Sequence, residues 1–431
     1  MKQNIFKGLK SFLLLWSSQA VSALGTSMTS YALIIWTYAR QGTASSVTLL
    51  SFFTFLPTIA LRFVTGAIAD RWNKKRIMLA ADAAAACGTA VIFALYSQNA
   101  LQVWHLYVIN TLLSFMDAFQ SPAAHVATSL LVPREQYARV SGLQSLSGAA
   151  VSIIAPALGS VLLAAGGLEL VLAVDLASFA VAFGVLGGFI RIPDMPRGAD
   201  AADDSLIHSC MAGVNFLRRR AGLLRLILSF TAINFLAKLG GDGMLSAFIL
   251  ARSGGDQQAL GIVQSAGALG TLVGGAIVTL MRPVRRKVKV VFGCCAAVFL
   301  IGDTAQSLTD ALPLWAVLEF ASYVLVAVLG ANLMALVRSN TPMELQGRVF
   351  SAQSTIQNGA IPLGLLLGGA LADHVFEPFM AGDSPAQRLL AQVFGVGSGA
   401  GIAVMFCIVG VLGCAVCLSA LMDPIYKRLD E

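Results

Sequence analysis

Charge is what this sequence has least of. Only 12% of its 431 residues are charged, about half the ~25% usual for a soluble chain. A solvated globular surface of ordinary size is therefore excluded. Histidine is scarce too: His105, His125, His208 and His374 are scattered without metal-ligand spacing. The seven cysteines include no CxxC pair, which gives neither a disulfide framework nor a metal site. A GxxxxGK[ST] loop is missing, so the chain itself carries no means of using ATP. No nucleophile–base constellation offers a basis for an enzyme, and no cofactor is called for.

Apolar residues make up 57% of the chain. They fall in continuous blocks of about 20 residues, the length that crosses a hydrocarbon core of about 30 Å as a helix. Lipid admits only helices and closed barrels, and unbroken rather than alternating blocks select the helix. The blocks predict twelve spans near 11–38, 44–69, 77–97, 103–127, 138–165, 168–190, 222–251, 257–281, 288–308, 312–338, 349–375 and 398–421. The first is too long for a cleaved signal and lacks a small-residue cleavage site. With both termini placed in the cytoplasm, 24 of the 29 lysines and arginines lie in inner segments, against Arg40, Arg252 and Arg388 outside. That asymmetry is a positive-inside signal. The net charge of +7 thus reads as membrane topology, and not as a nucleic-acid surface.

An offset of 209 residues relates two halves. Gly66-Ala67-Ile68 returns as Gly275-Ala276-Ile277, and Arg139-Val140 with Gln144-Ser145 returns as Arg348-Val349 with Gln353-Ser354. Leu158-Gly159 returns as Leu367-Gly368. An offset of six spans keeps both halves in the same orientation, a parallel repeat about an axis along the membrane normal. The expected division is a six-helix bundle over 1–190, a cytoplasmic linker over 191–221 and a second bundle over 222–431. Within the linker, Met211, Val214, Phe216 and Leu217 precede Arg218-Arg219-Arg220, the pattern of a short amphipathic helix on the inner membrane face, and a solvated connector fits the same position.

These residues resemble the major facilitator superfamily. The run Gly66-Ala-Ile-Ala-Asp70-Arg71-Trp72-Asn73-Lys74-Lys75-Arg76 is similar to that family's signature loop between helices 2 and 3. Leu-Gly-Thr-Ser at 24–27, Ser-Pro-Ala-Ala at 121–124, Leu-Val-Pro-Arg-Glu at 131–135, Gly-Arg-Val-Phe-Ser at 347–351 and Gly-Ser-Gly-Ala-Gly-Ile at 397–402 resemble the branch of macrolide-efflux proteins and siderophore exporters. The resemblance implies an all-α fold of twelve transmembrane helices and a multi-pass protein of a bacterial inner membrane. It also implies a gating loop formed by Gly66, Asp70 and Arg71 with Arg139 and Arg348. The second half has Thr279 where the first has Asp70, so such a gate is asymmetric. Pro156 and Gly159 in span 5 resemble the helix-5 motif of proton-coupled exporters, with Ala155 where that family has glycine. A plain proline kink in a packed helix reads equally well there.

Charge buried in lipid is costly and marks function by default. By family architecture spans 1, 4, 7 and 10 surround the cavity, which singles out Asp117, Lys238, Asp242 and Glu319 for substrate binding or proton coupling. Lys238 and Asp242 stand at i and i+4 and share a helix face. Gly240, Gly241 and Gly243 leave that helix free to bend. Gln19, Ser22, Thr26 and Tyr31 are the expected cavity-lining residues of span 1. Asp82, near Arg62 and Arg71 in the helix plan, reads as part of a structural charge network, and Asp175 and Asp303 as structural groups.

The expectation is a monomeric secondary exporter of hydrophobic or amphipathic small molecules, exchanging them for protons. Two alternatives stay open. One is a dedicated exporter of a metabolite such as a siderophore, or a lysophospholipid carrier. The other is a membrane sensor or scaffold without transport.

Overall fold

The computed structural model describes residues 2–133, 136–190, 192, 214–281, 284–427 and 429–430; for 2–9, 62–71, 137–139, 141, 344, 347 and 427 only the backbone is described. The described residues form helices joined by short connections, and two compact units are distinguished, Met1–Trp36 with Phe53–Leu206, and Thr37–Phe52 with Ile207–Glu431. Nine helical segments among the described residues are long and apolar enough to cross a membrane.

The first unit contains most of α1 (Lys2–Gln41) and α2 (Ala44–Arg71), then α3 (Lys74–Ser97), α4 (Val103–Leu131) and α5 (Tyr137–Gly188). α5 is two spans in one element: Gly166 and Gly167 leave helical geometry, and Gly167 adopts φ 64°, a value L side chains avoid. The sequence break between spans 5 and 6 falls there. α1 and α4 have spanning length but are not among the nine apolar segments, because serines, threonines and glutamines interrupt both. Those are helices expected to carry cavity residues. Phe12 and Leu15 of α1, Met78 of α3, Ala127 of α4 and Leu186 of α5 close one apolar core.

The signature loop does local structural work. The Asn73 side chain accepts from Arg76 N at 3.0 Å and caps α3. Lys75 Nζ donates to the carbonyls of Gly187 and Ile190 at 2.9 and 2.7 Å. A lysine there satisfies the terminal acceptors of α5 and opposes the negative end of its dipole.

The second unit is built from α6 (Ala221–Leu239), α7 (Gly241–Arg252), α8 (Gln257–Leu280), α9 (Lys287–Val298) and α10 (Leu312–Ser339), followed by α11 (Gln346–Asn358) and α12 (Ile361–Leu371). Short α13 (Glu377–Ala381) and α14 (Pro385–Phe394) precede α15 (Ala400–Met422), and α16 (Pro424–Lys427) ends the order. Two π-helical stretches, Phe299–Ala305 and Ala372–Phe376, extend α9 and α12. The expected span 7 is two helices, α6 and α7, broken at Gly240 with φ −106° and ψ −131°. Phe248 of α7 meets Trp315 of α10 edge-on and Phe406 of α15 at a tilt, and all three are buried.

The 209-residue repeat has a packing counterpart inside each unit. A Cβ on Gly159 would stand 2.9 Å from Tyr31 Cδ1 on α1, and a Cβ on Gly368 would stand 2.7 Å from Leu239 O at the end of α6. Each glycine lets span 5 or 11 close on span 1 or 7, the small-residue contact that membrane helices use. The linker is described only from residue 214. There 214–219 is helical, with Leu217 buried and Arg218, Arg219 and Arg220 exposed.

Candidate functional site

The break in span 7 organises the second unit. Glycines at 240, 241 and 243 remove the side chains that would resist it: a Cβ on Gly241 would strike Asp303 Oδ1, and one on Gly243 would strike the Lys238 carbonyl. The break does not separate Lys238 from Asp242. Lys238 Nζ meets Asp242 Oδ2 at 2.6 Å across it. Tyr323 Oη of α10 donates to the other carboxylate oxygen of Asp242 at 3.2 Å. One turn back on α10, buried Glu319 accepts from Gln306 Nε2 at 3.1 Å. Glu319 and Tyr323 stand at i and i+4, and a Cβ on Gly267 would lie within 3.2 Å of both side chains. The geometry therefore joins three of the four predicted charges, Lys238, Asp242 and Glu319, through α6, α7 and α10.

Asp303 completes the arrangement. It sits in the first π stretch, almost fully buried, and accepts the Gly241 N–H at 2.7 Å. The first residue of α7 thus has its orphan donor satisfied by a carboxylate at the positive end of the helix. The π turn is an insertion of the kind that recurs at functional sites. Sequence reading gave Asp303 a structural role without a partner. Tyr323 and Gln306 were not singled out at all, although the i+4 spacing of Tyr323 from Glu319 was readable.

The first unit holds a second polar group. Asp82, 4% exposed, accepts from Gln19 Nε2 at 3.1 Å and Gln120 Nε2 at 2.6 Å. This links α1, α3 and α4 through two amides. The side chains of Arg62 and Arg71, its expected partners, lie outside the described residues. Asp117 stands one turn before Gln120, exposed, with no hydrogen bond or ion pair among the described residues. Asp175 is fully buried and accepts from Thr29 at 2.8 Å and Thr89 at 3.3 Å.

The other expected residues are dispersed. Of the four from span 1, Gln19 borders a cavity of about 220 Å³ in the first unit. Ser22 is buried, exposed Thr26 donates to the Ser22 carbonyl, and Tyr31 is buried beside Gly159. Pro156 is buried within α5, and the non-helical dihedrals of that element lie at Gly166 and Gly167 instead. Of the gating set, the side chains of Asp70, Arg71 and Arg139 and the surroundings of Gly66 are not described, and Arg348 is exposed in the first turn of α11. Thr279, at the position matching Asp70, donates back to Ala276 O at 2.7 Å within its own helix.

Comparison with known proteins agrees with this architecture. The family model described as Major Facilitator Superfamily matches residues 15–365. Macrolide efflux protein A of Streptococcus pyogenes is 27% identical over 377 residues, covering 84% of this chain and 90% of that protein. The multidrug efflux pump Tap of Mycobacterium bovis is 24% identical over 387 residues, covering 84% and 87%. Among solved structures, the nucleoside transporter NupG aligns with a TM-score of 0.67 at 11% identity, covering 96% of this chain and 98% of that one. A bacterial homolog of the human lysosomal transporter Spinster aligns at 0.65 and 16% identity, covering 98% and 97%. With its helical units, its membrane-spanning segments and the matched family model, the chain belongs to the major facilitator superfamily and is a multi-pass membrane transporter of small molecules.

Proposed function

We propose that this transporter exports hydrophobic or amphipathic small molecules from a bacterial cytoplasm, by alternating access in exchange for protons. Two relatives aligned over more than four fifths of the chain carry the names macrolide efflux protein and multidrug efflux pump. The observation that carries the reading is the ionic assembly at the broken span 7. Lys238 and Asp242 form an ion pair beside Tyr323, and buried Glu319 is held, among the described residues, by the neutral amide of Gln306. A lone carboxylate held by an amide changes charge at less cost than one locked in an ion pair. Glu319 is accordingly the coupling group, and the Lys238–Asp242 pair across a flexible break is the element that substrate rearranges. Transporters place sites at broken helices because the freed backbone and helix ends face the ligand. The gating loop around Asp70 belongs to the same proposal, as the device that limits cycling and not affinity.

The test is efflux from cells expressing the chain, over a substrate panel that includes macrolides, lipophilic dyes, a siderophore and a lysophospholipid. Lower accumulation of the first two, reversed by a protonophore, supports the reading. Movement of the siderophore or lysophospholipid alone replaces it with a dedicated metabolite carrier. No movement of any compound by correctly inserted protein favours a sensor.

A further inference from the structure

α14 (Pro385–Phe394) has no part in the ionic assembly at span 7. It stands between the membrane-spanning stretch that ends at Ala381 and α15, which starts at Ala400. Both connections are short, so the helix stays at the membrane surface where those two spans end. The Ser384 side chain accepts from Gln387 N at 3.1 Å and caps it, Pro385 opens it, and Gly395 at φ 72° stops it.

Each residue turns a helix by about 100°, which sorts the side chains of α14 into three sectors. One faces the protein. Gln387 and Phe394 are buried there, and Gln387 Nε2 donates to Met380 O at 3.2 Å. The Phe394 carbonyl receives Arg252 Nη2 at 2.7 Å, and the same nitrogen meets Asp310 at 2.7 Å. Arg252 ends α7 with its side chain only 7% exposed, so α14 is pinned in one orientation. The second sector is polar. Arg388 and Gln392 are exposed in it, and Arg388 Nε pairs with Asp383 at 2.8 Å. The third is apolar and uncovered. Pro385, Ala386, Leu389 and Val393 share an arc of about 100°, with Leu389 66% and Val393 57% exposed.

Water is a poor neighbour for that arc, because a pinned helix cannot turn its branched side chains inward. A second protein copy is a poor one too. Four short side chains offer far less than the ~800 Å² per partner that a stable protein interface buries. An apolar sector bordered by a charged one is the pattern of a helix lying in the headgroup region of a bilayer. The exposed apolar series also begins inside the preceding span, where Val375 and Phe379 are uncovered.

We propose that α14 is a membrane-surface helix. Leu389 and Val393 seat among the lipid glycerol and upper acyl groups, while Arg388 and Asp383 stay in the headgroup layer. Its partner is the bilayer itself, and through Arg252 this seat holds the end of the broken span 7. The inference is independent of what the transporter carries.

The experiment uses the full-length protein in phosphatidylcholine nanodiscs, one copy per disc, and adds one indole at a time. Leu389→Trp reports from the apolar arc and Gln392→Trp from the polar one, each read as the emission gained over wild type. Lipid brominated near the carbonyl end of its acyl chains should remove at least half of the Leu389→Trp signal, and iodide should remove little of it. Gln392→Trp should show the reverse order. Val393→Trp, on the same arc, carries the test if Leu389→Trp does not fold. An indole at 389 that iodide quenches as fully as the one at 392 overturns the proposal, because the arc then faces water. Quenching by neither agent overturns it as well, because protein then covers the arc. Stronger quenching from bromines near the methyl end than near the carbonyl end would put the helix inside the hydrocarbon and contradict a surface seat.

Discussion

Asp373 holds Ser45. One carboxylate oxygen accepts the Ser45 N–H at 2.7 Å and the other the Ala44 N–H at 2.9 Å, so a side chain from the second π stretch caps the first turn of α2. Gly369, one turn earlier, leaves room for Thr48 and Ser45. A cap of this kind contributes about 1 kcal/mol. Asp373→Ala should therefore lower the thermal midpoint of the purified protein, and Asp373→Asn, which keeps one acceptor oxygen but turns an NH2 donor toward the other N–H, should recover only part of the loss. The ranking is read by a thiol-reactive dye or by light scattering on heating. Equal midpoints for all three proteins would show that the cap adds nothing.

The glycine pair of the internal repeat predicts an asymmetry. Gly159→Ala sets a methyl against the side chain of Tyr31, which tilts away at small cost. Gly368→Ala sets it against the Leu239 carbonyl, and backbone at a helix end has less freedom to yield. Overpacking of this sort costs about 1–3 kcal/mol. The Gly368 variant should lose more thermal stability and more transport than the Gly159 variant. A reversed order would contradict the packing described for α6 and α12.

Glu319→Gln keeps the shape and hydrogen-bonding capacity beside Gln306 while fixing the group as neutral. If Glu319 carries the coupled proton, uphill export should fall at least ten-fold, whereas substrate exchange at equal concentrations across a vesicle wall should persist. Both activities falling together would make Glu319 a structural residue. Neither falling would remove it from the mechanism.

Lys238 and Asp242 should act as a unit. Removing one partner leaves the other charge buried in part and uncompensated, which is worse than removing both. Lys238→Ala and Asp242→Ala should each abolish most transport, and the double variant should be no worse than the more damaged single. A double variant equal to the product of the two single losses would indicate independent roles.

The helix plan was legible where the signal was local. Continuous apolar blocks mark the spans, Gly166-Gly167 mark the turn inside α5, and the glycines at 240, 241 and 243 announce the break in span 7. Lys238 and Asp242 could be paired on paper because four residues separate them. What escaped was partnership across distance. Asp373 and Ser45 are 328 residues apart, and Asp303 and Gly241 are 62 apart; an acid in an apolar run does not show which helix end it caps. Asp82 was assigned to a network of charges, and its described partners are amides, which a search for opposite charges passes over. The ten residues of α14 are too short and too mixed to mark a span, and the Ser384 cap and the Pro385 start are the cues in the sequence to a helix there.

Export in exchange for protons is tested most directly in proteoliposomes containing only this protein, preloaded with a lipophilic amine dye, across an imposed pH gradient. The account predicts dye movement against its own gradient, driven by the proton gradient, collapsing on addition of a protonophore and weakened at least ten-fold in Glu319→Gln. Movement that continues undiminished after the proton gradient is abolished would contradict it.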